Sequence, residues 1–304
     1  MKRLFKILLL TSCLCAVALF AACGGPGKPD GSDAGGDKPG SGMTAVTDKA
    51  VALEMLGKAL AKTAGLTAGT ATVTVAVDAD EIMAMIEETA DEEVGDLLAN
   101  LPFALTGDFA INANIKFNGG NVSAGLSVNY TVAGGSSTMT TTTSLADIYS
   151  DGDGLYLDIS AAAFTFISAA FAQLAPELTL APKLQITDLD YFTDGEESGT
   201  DVDILDGLDL FDGLNGGAWA FNGKVENEQH VFTFTKGEET QVYKIDKDGY
   251  LVFISEKDGT SETAIFVNPS TPTVTLPADL SQYEELSLLD IIVLFPMPGM
   301  PVPG

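Results

Sequence analysis

The chain has 304 residues, 46% of them apolar, with 43 Asp and Glu against 15 Lys and Arg, one His and three Cys. A formal charge of -28 repels phosphate backbones and anionic headgroups, which excludes a nucleic-acid binder or a polybasic protein of the membrane surface. Apolar content at the globular average permits a buried core despite that charge, while one His and three thiols leave little for His-rich metal sites or thiol chemistry.

Met1 to Lys6 carries three basic residues, Ile7 to Phe20 is almost wholly apolar, and the run closes in Phe20-Ala21-Ala22-Cys23. This is the tripartite layout of a secretory signal. Its apolar run falls short of the roughly 20 residues that cross a bilayer as a helix. Ala21 and Ala22 before Cys23 resemble the bacterial lipobox, with Phe20 where Leu is usual. The resemblance implies a lipidated Cys23, anchored to the outer face of the cell membrane, or to the outer membrane of a cell that has two. An ordinary signal peptide or a buried helix is the alternative. Cleavage before Cys23 removes three basic residues, no acidic one, and both Cys13 and Cys15, so the charge becomes -31 and no disulfide can form.

Gly24 to Gly42 consists of Gly, Pro, Ser, Asp and Lys with one Ala, a flexible tether of about 20–25 Å root-mean-square reach. The expected organisation is a signal over 1–22, the lipidated Cys and tether over 23–43, and one domain over 44–304. Thr47 to Gly65 reads as a helix capped by Thr47, with Ala50, Leu53, Leu56, Leu60 and Ala64 on one face. Thr70 to Val77 alternates as a half-buried strand, with Val73, Val75 and Val77 on one side. Asp80 to Leu101 returns to the helical period, either packed on a sheet or serving as a lid, and Pro102 ends it.

From Phe103 the period is two. Phe109, Ile111, Ile115 and Phe117 share one face of a first long strand, and Val122, Leu126, Val128 and Tyr130 continue that pattern after Asn118-Gly119-Gly120. At about 13 residues each, the two strands are long enough to curve as a barrel wall. A Thr-rich strand, Ser137 to Tyr149, turns through Asp151-Gly152-Asp153-Gly154 into Leu155 to Ile159. Ala161 to Leu178, with Ser160 as cap, is apolar on nearly every side; such a helix is core or covers an apolar cavity. Asp188 to Asp212 is an acidic insert without a basic residue. Five alternating runs follow, Ala218 to Lys224, Gln229 to Thr235, Thr240 to Asp246, Tyr250 to Lys257 and Thr263 to Asn268, an antiparallel meander to which Thr273 to Leu276 adds an edge. Leu286 to Phe295 is too short to span a bilayer, and residues 286–304 form an apolar, Pro-rich tail.

Chemistry is sparse. His230 has no second His and no nucleophile elbow beside it, so it reads as a sheet-surface residue. Asp151, Asp153 and Asp158 have the start of a calcium-loop spacing, but Leu155 and Ala162 occupy positions that need oxygen ligands; a hairpin turn fits better. The acidic insert reads as a solvated loop, with weak cation binding as the alternative. Gly217 to Val225 fails as a phosphate loop because Val225 stands where Ser or Thr should hold magnesium. No catalytic residue, metal set or cofactor fingerprint stands out, so none is expected.

Lipobox, tether, the helix bearing Leu56-Gly57-Lys58-Ala59-Leu60, long antiparallel strands and the closing Tyr243-Lys244-Ile245-Asp246-Lys247-Asp248-Gly249-Tyr250-Leu251 with Val274-Thr275-Leu276-Pro277 occur here in one order. That order resembles the lipoprotein-carrier superfamily of LolA, LolB and LppX type. The resemblance implies an α+β fold in which a curved antiparallel sheet forms an incomplete β-barrel covered by helices. It further implies a concave apolar cavity that holds a lipid or lipoprotein acyl chain without catalysis. The candidates to line it here are Phe109, Ile111, Ile115, Leu126, Val128, Tyr130, Phe164, Phe171 and Trp219. The other readings are an envelope structural or interaction protein, or a sensor domain, with a sheet filled by its own side chains.

Overall fold

The structure, a computed structural model, describes residues 43–78, 108–134, 137–151, 154–165, 168, 180–187, 211, 213–259 and 261–287. Expectations for the signal, Cys23, the tether, the 80–101 helix, Phe171, the acidic insert apart from Phe211, and the tail beyond Ser287 lie outside these residues.

Helix α1 is Lys49–Ala64. The strands are β1 (Ala68–Asp78), β2 (Asp108–Asn118), β3 (Asn121–Gly134), β4 (Ser137–Ser150), β5 (Leu155–Ile159), β6 (Lys183–Thr187), β7 (Ala220–Glu226), β8 (Gln229–Lys236), β9 (Glu239–Ile245), β10 (Leu251–Asp258), β11 (Ser261–Pro269) and β12 (Glu284–Ser287). All join one open sheet in the order β12-β6-β5-β4-β3-β2-β1-β11-β10-β9-β8-β7. The described residues are therefore mostly β, more dominated by sheet than the helix-covered half-barrel expected from the sequence.

The meander β7 to β11 forms as expected, and its hairpins turn where backbone freedom allows. Gly249 and Gly259 have φ of 84° and 62°. Asn227 and Glu228 turn β7 into β8 with φ of 51° and 59° although neither is Gly, as a primed two-residue hairpin requires. Every neighbouring pair is antiparallel except β12 with β6. Residues 270–283 cross from β11, beside β1, to β12 at the sheet edge. They pass Asn118, whose Nδ2 donates to the Pro272 carbonyl at 3.0 Å, and reach the far edge at Tyr283, edge-on to Tyr156 at 5.4 Å.

That crossover corrects one expectation. Thr273 to Leu276 is not an edge strand but part of the connection, flanked by Pro272 and Pro277, which have no ladder donor. Strands β6 and β12, each short, were not expected. The cap of α1 is also one residue later than Thr47. The Asp48 carboxylate accepts from the Ala50 and Val51 amides at 2.8 and 3.1 Å, where its charge also meets the positive end of the helix.

The buried face of α1 is Ala52, Leu56 and Ala59, a rotation from the stripe read in sequence. Two alanines let the helix axis approach the aromatic rings of the sheet. Both ends are pinned: Lys49 Nζ donates to the Gly216 and Trp219 carbonyls at 2.9 and 3.2 Å, and the Leu251 amide donates to Thr63 Oγ1 at 2.8 Å. Lys62 donates to the Asp248 carbonyl and lies 4.3 Å over the Tyr250 ring.

Candidate functional site: one apolar sheet face

Alternation places most apolar residues of the long strands on one face of the sheet, where they form three clusters. Under α1, Ala52, Leu56 and Ala59 pack with Phe232, Phe234, Tyr243, Ile245, Leu251 and Leu214. The central cluster comprises Val73 and Val75 of β1, Phe109, Ala113 and Ile115 of β2, Val122, Ala124 and Val128 of β3, and Ile265 of β11. At the far edge, Ile159, Leu184 and Leu286 pack with Ala163 and Ala181. Ile254 touches the first two clusters and Leu145 the last two, so the apolar face is continuous across the sheet.

Register explains the central cluster. Phe109 faces Tyr130, Ile111 faces Val128, Ala113 faces Leu126 and Ile115 faces Ala124 across β2 and β3, and Val73 and Val75 continue the same rows in β1. Tyr130 stands in the last row that β2 and β3 share, opposite Phe109, and its phenol oxygen accepts from Thr143 Oγ1 at 3.5 Å. Leu145 is the extra residue of a bulge in β4, between the pairs Leu126–Ala146 and Ser127–Ser144. Its carbonyl accepts from the Ser160 amide at 2.9 Å, and the Ser144 carbonyl accepts from Ser160 Oγ at 2.7 Å. Ser160 in turn caps the helical residues 161–165 by accepting from the Ala163 amide at 3.2 Å, as expected from sequence. The bulge thus sets where Phe164 meets the far cluster.

Of the nine candidate cavity residues, the structure brings six together. Phe109, Ile115 and Val128 are buried in the central cluster, and Ile111, Leu126 and Tyr130 pack against it. Phe164 belongs to the far cluster and Trp219 to the α1 cluster, at opposite ends of the face. Trp219 is held there by Lys49 at its carbonyl and by Lys236, whose Nζ lies 5.5 Å over the ring.

The groups whose pKa the fold shifts sit outside the central rows. His230 stands on the apolar face beside Phe232, ring centroids 5.9 Å apart, with a buried Nδ1 that has no hydrogen-bond partner. Burial lowers its pKa below the ordinary 6.5. On the opposite face, Asp147 is paired in register with Asp158, and its pKa is raised by partial burial and by that neighbouring carboxylate. Tyr283 beside them is pushed to about 12, by burial first and then by Asp158, Tyr149 and Asp147. Asp151 accepts from the Gly154 amide at 2.9 Å, so the sequence that begins like a calcium loop serves as a hairpin turn. Among the described residues no group of three or more His, Cys, Asp or Glu is placed to hold a metal ion.

One feature of the polar face was not anticipated from sequence. Phe253 of β10 and Phe266 of β11 are cross-strand partners, 4.6 Å apart between ring centroids, and Phe266 is 49% exposed. They floor an open groove of about 380 Å³. The available signal was an aromatic in the outward phase of two adjacent strands; in β10 it is hidden by the unbroken run Leu251-Val252-Phe253-Ile254.

No protein-family model and no curated protein matches the chain. Among solved structures, that of LprF from Mycobacterium bovis aligns over 78% of this chain and all of that one, at 12% identity and a TM-score of 0.34. A likeness of that degree transfers no ligand and no role.

Proposed function

We propose that the protein is an extracytoplasmic lipoprotein, membrane-anchored through Cys23, that holds a hydrophobic ligand noncovalently against the apolar face of its sheet. The ligand class is the acyl chain of a lipid or lipoprotein. The observation that supports this reading is the continuous apolar face, whose central cluster and the residues packed on it are all strand residues, between α1 at one end and residues 161–165 at the other. Rows such as Ile111–Val128 and Ala113–Leu126 offer aliphatic contacts without direction, which suits a flexible chain better than a ligand with fixed polar groups. Burial would contribute about 0.8 kcal/mol per methylene, so a long chain is retained without a covalent step.

A second reading is favoured by a different observation. Val73, Val75 and Val128 are only 2%, 1% and 3% exposed, as in a face filled by the protein's own side chains. On that reading the protein is a structural, interaction or sensor module of the envelope. Native mass spectrometry of the purified protein, with displacement of a bound fluorescent fatty acid, separates the two. Co-purified lipid and saturable displacement are expected; the absence of both would leave the filled-face reading standing. Anchoring is tested separately, since Cys23→Ala should move the protein from the membrane to the aqueous fraction.

A further inference from the structure

The groove on the polar face is independent of the apolar face. Its floor follows from register: Thr72 faces Phe266, Phe266 faces Phe253 and Phe253 faces Lys244, one row across β1, β11, β10 and β9. The next row begins with Thr70 opposite Asn268. Between Leu251 and Phe253 the ladder slips, which makes Val252 the extra residue of a bulge and lets its side chain line the groove. Bulges of this kind re-aim side chains beside sites.

The chemistry of the lining narrows the ligand. Phe266 is half-exposed and its ring is tilted 51° to that of Phe253, so it offers one apolar ring face, and desolvating that face is favourable only for a ligand with an apolar face of its own. Around it stand side chains that both donate and accept, Thr70, Thr72, Asn268 and Gln229. Thr72 donates to Asn114 at 3.3 Å, which leaves its oxygen able to accept. The two charges in the lining oppose each other. Lys244 Nζ lies 4.6 Å over the Phe253 ring, and the Asp246 carboxylate is held by the Asp248 and Tyr250 amides at 3.0 and 2.8 Å. A balanced lining within a chain of charge -28 does not favour an anion, and the single carboxylate, already accepting two hydrogen bonds, does not favour a cation. A pyranose ring has an apolar C–H face and a rim of hydroxyls that donate and accept, which matches ring face and surround together.

We propose that this groove binds a neutral oligosaccharide, with one sugar ring stacked on the exposed ring of Phe266 beside Phe253 and its hydroxyls met by Thr70, Thr72 and Asn268. The test is titration of the isotope-labelled full-length protein with maltohexaose, mannohexaose and galactohexaose, followed by amide resonances. At least one sugar should shift Thr72, Phe253, Phe266 and Asn268 in a saturable way. Phe266→Ala, at a half-exposed position, should keep the remaining spectrum and weaken that binding by roughly three- to tenfold. The proposal is overturned if none of the three sugars shifts these resonances, if Phe266→Ala binds as well as the parent, or if oligogalacturonate or an unstructured peptide binds there and the neutral sugars do not.

Discussion

Gly223 of β7 is the position where a single methyl group tests how the chain enters the fold. A Cβ built there would overlap the carbonyl oxygen of Val46 and approach Phe221 Cζ at 3.0 Å. Val46 lies just before the Asp48 cap and packs against the α1 cluster, so the segment that leads from the amino terminus into the helix crosses the edge strand over this glycine. Backbone on backbone cannot be relieved by a rotamer change. Gly223→Ala must therefore displace residues 46–48 or bend β7, an overpacking cost of about 1–3 kcal/mol. With a melting shift of about 2–4 °C per kcal/mol for a domain of this size, the melting temperature should fall by roughly 2–12 °C in a differential scanning measurement. Faster amide exchange at Ala50 and Val51 should accompany the fall, because the Asp48 cap moves with Val46. A variant that melts within a degree of the parent, with unchanged exchange in the first turn of α1, would refute the close crossing.

Gly57 is the counterpart: a Cβ there meets nothing within 4 Å, and the residue is exposed inside α1. Gly57→Ala should raise stability by about 0.5–1 kcal/mol in a denaturant titration; a loss would mean that the helix surface there is covered. Asp48→Ala removes the acceptor for two amides and should cost about 1 kcal/mol, with Asp48→Asn restoring most of it. His230 gives a pH test. Its folded pKa lies below the ordinary value because the ring is partly buried, so its contribution is fully present above pH 6.5 and is lost as pH falls towards the lowered value. The difference in melting temperature between the parent and His230→Phe should therefore change between pH 7 and pH 5, the parent losing more; parallel curves would remove burial of the neutral ring as the cause.

The elements legible in the sequence were those whose period ran unbroken. β2 and β3 alternate without interruption, so both their existence and the shared face of Phe109, Ile111, Leu126 and Val128 follow from the residues alone. The rest was hidden for physical reasons. An extra residue at Leu145 or Val252 shifts the alternation by one position, and a one-residue shift exchanges the two faces. In α1, Ala and Leu recur so densely that several stripes fit, and Phe232 and Phe234 decide which one is buried. β6 and β12 are held by their neighbours rather than by propensity, since Lys183–Thr187 and Glu284–Ser287 are too short to signal a strand. Trp219 shares no element with the β2–β3 rows, and nothing local marks it for the α1 cluster rather than for the centre.

The charge acquires a location through the sheet. Across β1 to β4 the polar face carries Thr72, Thr74, Asn112, Asn114, Asn129 and Thr142, joined in cross-strand pairs: Thr74 to Asn112 at 2.9 Å, Thr72 to Asn114 at 3.3 Å and Thr142 to Asn129 at 2.7 Å. Such pairs support the ladder as ion pairs would, without the cost of like charges on neighbouring strands. Asp147 opposite Asp158 shows that cost towards the far edge, where the carboxyl of Asp147 is harder to ionise. These pairs border the Phe253–Phe266 groove at Thr72, and an extended neutral ligand leaving the groove over β1 would meet Thr72, Thr74 and their Asn114 and Asn112 partners, with Lys116 opposite Thr70 beside them.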